Sequence, residues 1–175
     1  MAFHGYFDLY FTTATLKDWK WLLKPDKYKE IITDSFAYLV SDQSVLIYAF
    51  VIMPNHLHII WQIRGEKQLS SVQQRLMKFV SQQIKFDLIA HHPLVLETFK
   101  SKRADRHYHF WKEKPLSIAL FTDNVVKQKM DYLHNNPVQE NWNLAKQAAD
   151  YRFSSYRFYE TGESEWTFLT NFWLV

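Results

Sequence analysis

The feature that most constrains the fold is a pair of apolar segments joined by Pro54 and Asn55. The letters "VLIYAFVIM" cover residues 45–53, and "HLHIIWQIR" covers residues 56–64. Both segments are rich in the β-branched and aromatic residues that favour strands. A Pro-Asn connection between two such segments is typical of a tight turn, so this stretch predicts a β-hairpin.

Side chains alternate between the two faces of a strand, so the second strand of this hairpin would have two different faces. One face would be wholly apolar and belong in the core: Leu57, Ile59, Trp61 and Ile63. The opposite face would be mixed, and we expect it to be partly covered: His56, His58, Ile60 and Gln62.

His56 and His58 would project side by side, and two neutral imidazoles on one strand face can bind one divalent ion. A His-x-His pattern is short and also occurs in hydrogen-bonded surface histidines, so both interpretations stay open on the spacing alone. His107 and His109 repeat the spacing in a charged segment. A metal site needs a rigid scaffold, so we prefer the first pair and expect the second at the surface.

The remaining periodicities predict helices and strands around the hairpin. A strand is predicted at 6–15, helices at 24–42, 70–90 and 122–136, and a strand or a helix approach at 115–121. Ser71 and Gln74 can form a capping box at the start of the second helix. The order of these elements predicts an α+β fold, with a ferredoxin-like antiparallel sheet and helices packed on it.

Composition excludes several kinds of site. The chain has 175 residues, enough for one domain with a substantial core, and 47% of them are hydrophobic, which argues against disorder. With 3 glycines and no cysteine, a glycine-cradled nucleotide site, a disulfide and a thiolate metal site are not expected. We read no signal peptide and no span long enough for a bilayer, so a soluble, cytoplasmic protein without a membrane partner is expected.

Positive charge is concentrated in residues 100–114, "KSKRADRHYHFWKEK", which hold six Lys or Arg and two Asp or Glu in a chain of net charge +3. Cations for phosphates and flat rings for stacking are what a nucleic-acid surface needs, although a solvated loop explains the charge alone. We predict that this segment lines a DNA path, with Lys102, Arg103 and Arg106 nearest the phosphates. Trp111 would stack on a base, and its burial in the core is the alternative.

The helix at 122–136 has a narrow apolar stripe formed by Val126, Met130 and Leu133, which should face the core. Tyr132 falls well outside this stripe, whereas a core tyrosine would lie on it. Asn136 follows four residues later and would lie near Tyr132 if the helix continues that far. Three later tyrosines stay as competitors for any special role: Tyr151, Tyr156 and Tyr159.

Three motifs resemble those of a known family. The letters "MPNHLHII" at 53–60 are followed by "YLHNNPV" at 132–138 and "YRFSSYRFY" at 151–159. In this order they resemble the single-tyrosine transposases of the HUH nuclease superfamily, in particular the REP-associated tyrosine transposases. The resemblance runs from the first strand to about residue 160. It implies one catalytic domain over residues 1–160, followed by a tail, residues 161–175, that matches nothing in the family.

The resemblance implies roles for individual residues. His56 and His58 match the His-hydrophobic-His pair that binds a divalent metal, and Tyr132 matches the nucleophilic tyrosine, carried on a C-terminal helix. Asn136 stands where the family supplies a third metal ligand and where insertion-sequence relatives commonly have glutamine. Phe153 replaces the tryptophan of the family's "WSSY" motif.

These matches imply metal-dependent cleavage and strand transfer of single-stranded DNA through a covalent 5′-phosphotyrosine intermediate, with Mg²⁺ or Mn²⁺ as cofactor. They also imply DNA hairpins as partners and allow a homodimer, since some relatives exchange the tyrosine helix between two copies. Two other functions stay open. One is a catalytically idle nucleic-acid-binding module, and the other is a zinc-type hydrolase that uses His56, His58 and a carboxylate.

Overall fold

A computed structural model describes residues 5–175 of the chain. Within that range four strands occur: β1 (Leu9–Thr15), β2 (Val45–Ile52), β3 (His56–Ile63) and β4 (Leu116–Ala119). The helices are α1 (Asp26–Ser41), α2 (Leu69–His91), α3 (Pro93–Glu97), α4 (Asp123–Asn135) and α5 (Tyr156–Thr161). Short 3₁₀ turns lie at Lys17–Trp19, Asn136–Val138, Ala148–Asp150 and Phe172–Leu174. None of the helices in this range combines the length and the apolar character needed to cross a membrane.

The four strands form one sheet in the order β2-β3-β1-β4, and every neighbouring pair is antiparallel. This spatial order, with α1 between β1 and β2 and α2 between β3 and β4, is the ferredoxin-like arrangement. The predicted α+β fold is therefore confirmed. The predicted hairpin is also present, and the Met53 amide donates to the His56 carbonyl at 2.8 Å to close its turn. The segment at 115–121, left open between two interpretations, contains the edge strand β4.

The alternation along β3 separates two apolar clusters. The face that carries Leu57, Ile59 and Trp61 packs against α1 and α2, and all three side chains are buried. On the other face Ile60 packs against α4, whose Val126, Met130 and Leu133 are buried as the stripe predicted. The histidine face of β3 is therefore covered by α4.

The predicted capping box at the start of α2 is wrong. The helix begins at Leu69, its N-cap position is Gln68, and no side chain caps it. Ser71 and Gln74 consequently lie inside the helix. The cause is that the apolar stripe extends to Leu69, which packs against the core cluster of α1 and α2. Tertiary packing thus extends the helix beyond the point where local capping would start it.

The C-terminal segment packs against the sheet. Phe168 is 6% exposed and lies with Phe36 and Phe50, at ring-centroid distances of 5.8 and 5.6 Å. The Thr170 amide donates to the Ile47 carbonyl of β2 at 2.9 Å. Residues near the end of the chain therefore contribute to the same core as α1 and β2.

We expect Phe168→Ala to lower the free energy of unfolding by about 3–5 kcal/mol, because it removes a buried aromatic ring and leaves a cavity. Chemical denaturation monitored by circular dichroism measures this. Leu174→Ala is the matched control from the same segment, since Leu174 is 82% exposed and its truncation should leave stability almost unchanged. Equal, small effects of the two substitutions would contradict a core role for Phe168.

Candidate functional site

His56 and His58 lie at the start of β3, directly after the Pro54-Asn55 turn, on the face covered by α4. Their ring centroids are 4.8 Å apart. His58 is almost fully buried and His56 is partly buried. The strand thus places the two imidazoles side by side, as the spacing predicted.

His58 is fixed through one ring nitrogen and leaves the other without a partner. Its Nδ1 lies 2.8 Å from Oγ1 of Thr13, which is paired with it across β1, and its ring stacks on Phe11 at 5.1 Å. Its Nε2 is buried and has no hydrogen-bond partner among the described residues. If Nδ1–H donates to Thr13, Nε2 carries a free lone pair. A buried polar atom without a hydrogen-bond partner requires a physical explanation, and a metal-binding role would provide one.

The neighbouring residue Asn55 fixes His56. Its Oδ1 can only accept, so the 2.6 Å contact to His56 Nδ1 assigns the ring proton to Nδ1 and the lone pair to Nε2. The Nε2 atom lies 3.1 Å from Nδ2 of Asn136. Rotation of that amide by half a turn would exchange its oxygen for its nitrogen, so it can act as donor or as ligand. The three predicted ligand residues are therefore brought together.

Both imidazoles are neutral near pH 7. Burial lowers the pKa of His56 to about 4. Burial, followed by the charges of His56 and Lys129, lowers the pKa of His58 to about 3. Neutral imidazole is the form that binds a metal ion.

The ligand set is limited to these groups. Among residues 5–175 no cluster of three or more His, Asp or Glu side chains has a metal-binding arrangement. The available set is two imidazoles and one amide, which leaves further positions for oxygen atoms of a substrate or water. Mn²⁺ and Mg²⁺ accept such oxygen ligands.

Tyr132 lies on α4, one helical turn before Asn136. Its ring packs edge-on against His58 at 5.3 Å and against Phe11 at 6.1 Å. The residue is 49% exposed, so one side contacts the histidine and the other faces solvent. The position off the apolar stripe therefore places Tyr132 beside the histidine pair.

Two of the three competing tyrosines, Tyr151 and Tyr159, have structural contacts instead. The hydroxyls of Tyr151 and Tyr159 donate at 2.7 Å to the backbone carbonyls of Ile52 and Tyr48 in β2. Burial raises the pKa of Tyr159 to about 12 and also raises the pKa of Tyr151. Raised pKa values and occupied hydroxyls make both poor nucleophiles, which favours Tyr132.

A buried polar contact anchors the C-terminal end of α4. His134 Nε2 lies 2.7 Å from Oγ of Ser155, within the "FSSY" motif. The same Oγ accepts from the Phe50 amide at 3.0 Å and lies 3.3 Å from its carbonyl. Burial lowers the pKa of His134 to about 4, so this imidazole is also neutral. The motif therefore ties α4 to β2 rather than supplying a group to the site.

The basic segment lies elsewhere. Lys102, Arg103 and Arg106 are exposed, and the two arginines line an open groove of about 840 Å³ against α2, which contributes Lys78 and Lys85. This groove lies on the α2 side of the sheet, whereas the histidine pair faces α4. The structure thus groups the arginines with α2 and does not bring them to Tyr132.

Trp111 and the second histidine pair complete the predicted set. Trp111 is 8% exposed, and its Nε1 donates to Ser81 Oγ of α2 at 2.9 Å. That burial favours the core role of Trp111 over base stacking. His107 is exposed and His109 is partly exposed, as expected for a surface pair.

Sequence reasoning did not single out four residues that surround the site: Thr13, Asn55, Lys129 and Trp142. Asn55 stood in the motif, and its side chain next to a histidine was a usable signal. Thr13 required the strand register, and Trp142 required the path of the chain after α4, neither of which a single sequence contains. The Lys129 ammonium lies 5.2 Å from the centre of the Phe11 ring, and so adds positive charge near His58.

Comparison with known proteins gives matches among solved structures alone, since no family model and no curated protein sequence matches the chain. A REP-associated tyrosine transposase bound to a REP hairpin is 21% identical, with a TM-score of 0.66 over 89% of this chain and 81% of that chain. A Deinococcus radiodurans R1 protein, provisionally described as a transposase, is 12% identical. The match covers 73% of this chain and 88% of that one, with a TM-score of 0.47.

The first of these similarities covers most of both chains. At 21% identity this similarity shows the fold, and a shared fold does not by itself establish a shared reaction. This chain has the fold of the REP-associated tyrosine transposases, the family that its motifs resemble.

Proposed function

We propose that this chain is a metal-dependent tyrosine nuclease of the transposase type, which cuts single-stranded DNA and transfers the cut strand. The observation that carries the proposal is the contact between the Tyr132 ring and His58, whose buried Nε2 has no hydrogen-bond partner among residues 5–175. An accessible hydroxyl beside a set of neutral ligands is the arrangement that phosphodiester transfer requires. The three motifs and the shared fold support the same reaction.

The proposed step balances without any further reactant. The Tyr132 oxygen attacks the scissile phosphorus, a tyrosine–phosphorus ester bond forms, and the bond from phosphorus to the 3′ oxygen breaks. The phenolic proton ends on the released 3′-hydroxyl. The product is a 5′-phosphotyrosine, and attack by a 3′-hydroxyl reverses the step and rejoins DNA. Each step forms one phosphate ester bond as it breaks another. Bond energy is therefore conserved, and no nucleotide cofactor is needed.

The residues present fit a divalent ion. His56 and His58 would hold Mg²⁺ or Mn²⁺ through their Nε2 atoms, together with the Asn136 amide oxygen. When bound, the ion supplies Lewis-acid polarisation of the scissile phosphate. The chain itself contributes the fixed imidazoles, since Asn55 and Thr13 hold the other ring nitrogens. The ammonium group of Lys129, which acts electrostatically on His58, would add a positive charge near the scissile phosphate.

The competing functions have less support. A zinc-type hydrolase would need a carboxylate beside His56 and His58, and none joins them in residues 5–175. An idle binding module would have no need of a tyrosine packed on the ligand pair.

For the DNA partner we propose a hairpin with an unpaired extension, since the similar transposase is bound to a REP hairpin. The duplex part would lie against the groove between α2 and the basic segment. Arg103 and Arg106 from one side, with Lys78 and Lys85 from the other, would neutralise its phosphates. Lys102 extends the same positive surface.

Tyr132→Phe should abolish the covalent protein–DNA species while leaving folding and DNA affinity almost unchanged, because it removes the attacking oxygen alone. Incubation of the protein with hairpin DNA and Mn²⁺, followed by denaturing electrophoresis, detects the adduct. Tyr38→Phe is the matched control, since Tyr38 is also exposed but lies on α1. An adduct that persists in Tyr132→Phe, or maps to Tyr156, would contradict the assignment.

The contact between Tyr132 and His58 occurs within one chain, so the nucleophile should act on the site of its own chain. Mixing Tyr132→Phe with His58→Ala should therefore yield no adduct. Restored activity in the mixture would show that tyrosine helices exchange between two copies.

His58→Ala should remove the stabilisation that Mn²⁺ gives to the folded protein, because one ligand is lost. At a metal concentration near 100 times the Kd, that stabilisation amounts to about 2.7 kcal/mol for the unmodified site. Thermal unfolding with and without Mn²⁺ measures it, and cleavage should fall in parallel. His107→Ala, at an exposed histidine, is the control, and an equal loss there would move the metal site to the second pair.

Replacing Lys102, Arg103 and Arg106 together by Ala should weaken DNA binding and flatten the plot of log affinity against log salt. We expect a change in slope of about 2.7, because roughly three contacts to duplex phosphates are lost at about 0.9 each. Titrations at several salt concentrations measure the slope.

The matched control removes three exposed basic residues that lie away from the groove: Arg64, Lys67 and Arg157. It lowers the net charge by the same amount, so it separates a local contact from a general field effect. If both triple variants change the slope equally, the DNA does not follow the basic segment.

A further inference from the structure

A row of aromatic rings leads from the candidate nucleophile to the protein surface. Tyr132 packs on His58 and His58 on His56, as described above. Beyond them Trp142 lies 5.6 Å from His56, and Trp21 lies 5.6 Å from Trp142, both between ring centroids. Trp21 is 51% exposed, and Trp142 is partly buried. The row therefore ends in a large ring that is open to solvent.

The loop that carries Trp21 is fixed to the same turn that presents His56. The Leu23 amide donates to the Pro54 carbonyl at 2.9 Å, and Asn55 Nδ2 donates to the Trp19 carbonyl at 3.3 Å. Leu23 is fully buried and anchors the loop in the core. Trp21 is thus held in a fixed position relative to the candidate metal ligands, which a stacking surface requires.

The charges around this ring indicate what would cover it. Lys24 Nζ lies 6.0 Å from the centre of the Trp21 ring, and Lys112 Nζ lies 4.3 Å from the ring of Trp19, which is 57% exposed. Asp18 is the acidic residue of this loop, residues 17–24, which also holds three lysines. Exposed indoles flanked by ammonium groups match a base with its phosphate.

We propose that Trp21 and Trp142 form a stacking platform for an unpaired nucleobase a few nucleotides from the scissile phosphate, with Lys24 against its backbone. The inference rests on the proposed function, because it places the extension of the DNA beside Tyr132. A base within a duplex has neighbours on both faces, so the platform selects an unpaired strand. It also fixes how far from the hairpin the cut falls.

The test uses full-length protein with Tyr132→Phe, without metal, and a DNA hairpin with a single-stranded extension that carries one abasic site at successive positions. Stacking should make one position critical, with a loss of affinity of roughly 5- to 150-fold there. Trp21→Ala should weaken the intact hairpin by a similar factor and should abolish the sensitivity at that position. Trp21→Phe keeps a ring and should restore most of the affinity.

Two controls separate stacking from other effects. Trp173→Ala removes another exposed indole, at the C-terminal end of the chain, and should change nothing. Lys24→Ala should flatten the salt dependence, whereas Trp21→Ala should leave it unchanged. Thermal unfolding should be the same for Trp21→Ala and the parent protein, since Trp21 is half exposed.

The platform would be overturned if Trp21→Ala kept wild-type affinity or left the abasic profile unchanged. It would also be overturned if Trp21→Ala lost as much affinity for a blunt duplex as for the hairpin with its extension. The adduct assay with unsubstituted protein keeps this failure distinct from failure of the proposed function. If the adduct forms but Trp21→Ala does not change DNA affinity, the platform is contradicted and the proposed nuclease function is not. If the abasic profile depends on Trp21 but no adduct forms, the platform is supported and the proposed nuclease function is contradicted. Absence of binding to the extension overturns both.

Discussion

The site depends on one strand register, the pairing of β1 with β3 that sets Thr13 opposite His58. A slip of one residue would turn both histidines into the core formed with α1 and α2, and would turn Leu57 and Ile59 toward α4. Burying two imidazoles in that core would leave their polar atoms without partners, while the apolar side chains would face the site. The large apolar cluster on one face of the sheet thus determines that the polar groups lie on the other face. Stability and the candidate chemistry are fixed by the same pairing.

The Pro54-Asn55 turn then gathers the rest of the site around that register. The Leu16 amide donates to the Asn55 carbonyl at 2.8 Å and so ties the end of β1 to the turn, while the Pro54 carbonyl holds the loop of Trp21. The side chain of Asn55 orients His56. A short turn can do this because each backbone carbonyl is an acceptor that needs a partner when buried. The candidate histidine ligands and the proposed platform are therefore positioned by one structural element.

Sequence pattern alone predicted the elements that depend on local periodicity. The alternation of every second residue predicted the two strands of the hairpin. The helical period of about 3.6 residues predicted the two helices that face the larger core and the position of Tyr132 off the apolar stripe of α4. Features that depend on long-range contacts were not accessible. Trp111 has an aromatic and basic neighbourhood in sequence, yet it packs on α2 and bonds Ser81, which is distant along the chain. Thr13 becomes the partner of His58 only through the register, and the capping box failed because packing started α2 earlier.

The buried polar groups beneath α4 differ in whether their hydrogen bonds are satisfied. His134 is buried and satisfied by Ser155, and Ser155 is satisfied in turn by the backbone of Phe50, so this contact costs little. His58 is equally buried, but its Nε2 has no partner in the described chain. Leaving such an atom unpaired costs about 1–3 kcal/mol, which a larger apolar side chain at that position would avoid. The other polar side chains of this strand, His56 and Gln62, have hydrogen-bond partners, so the cost is confined to one atom. The His58 ring lies 5.3 Å from that of Tyr132, and a ligand that reached Nε2 would remove the penalty.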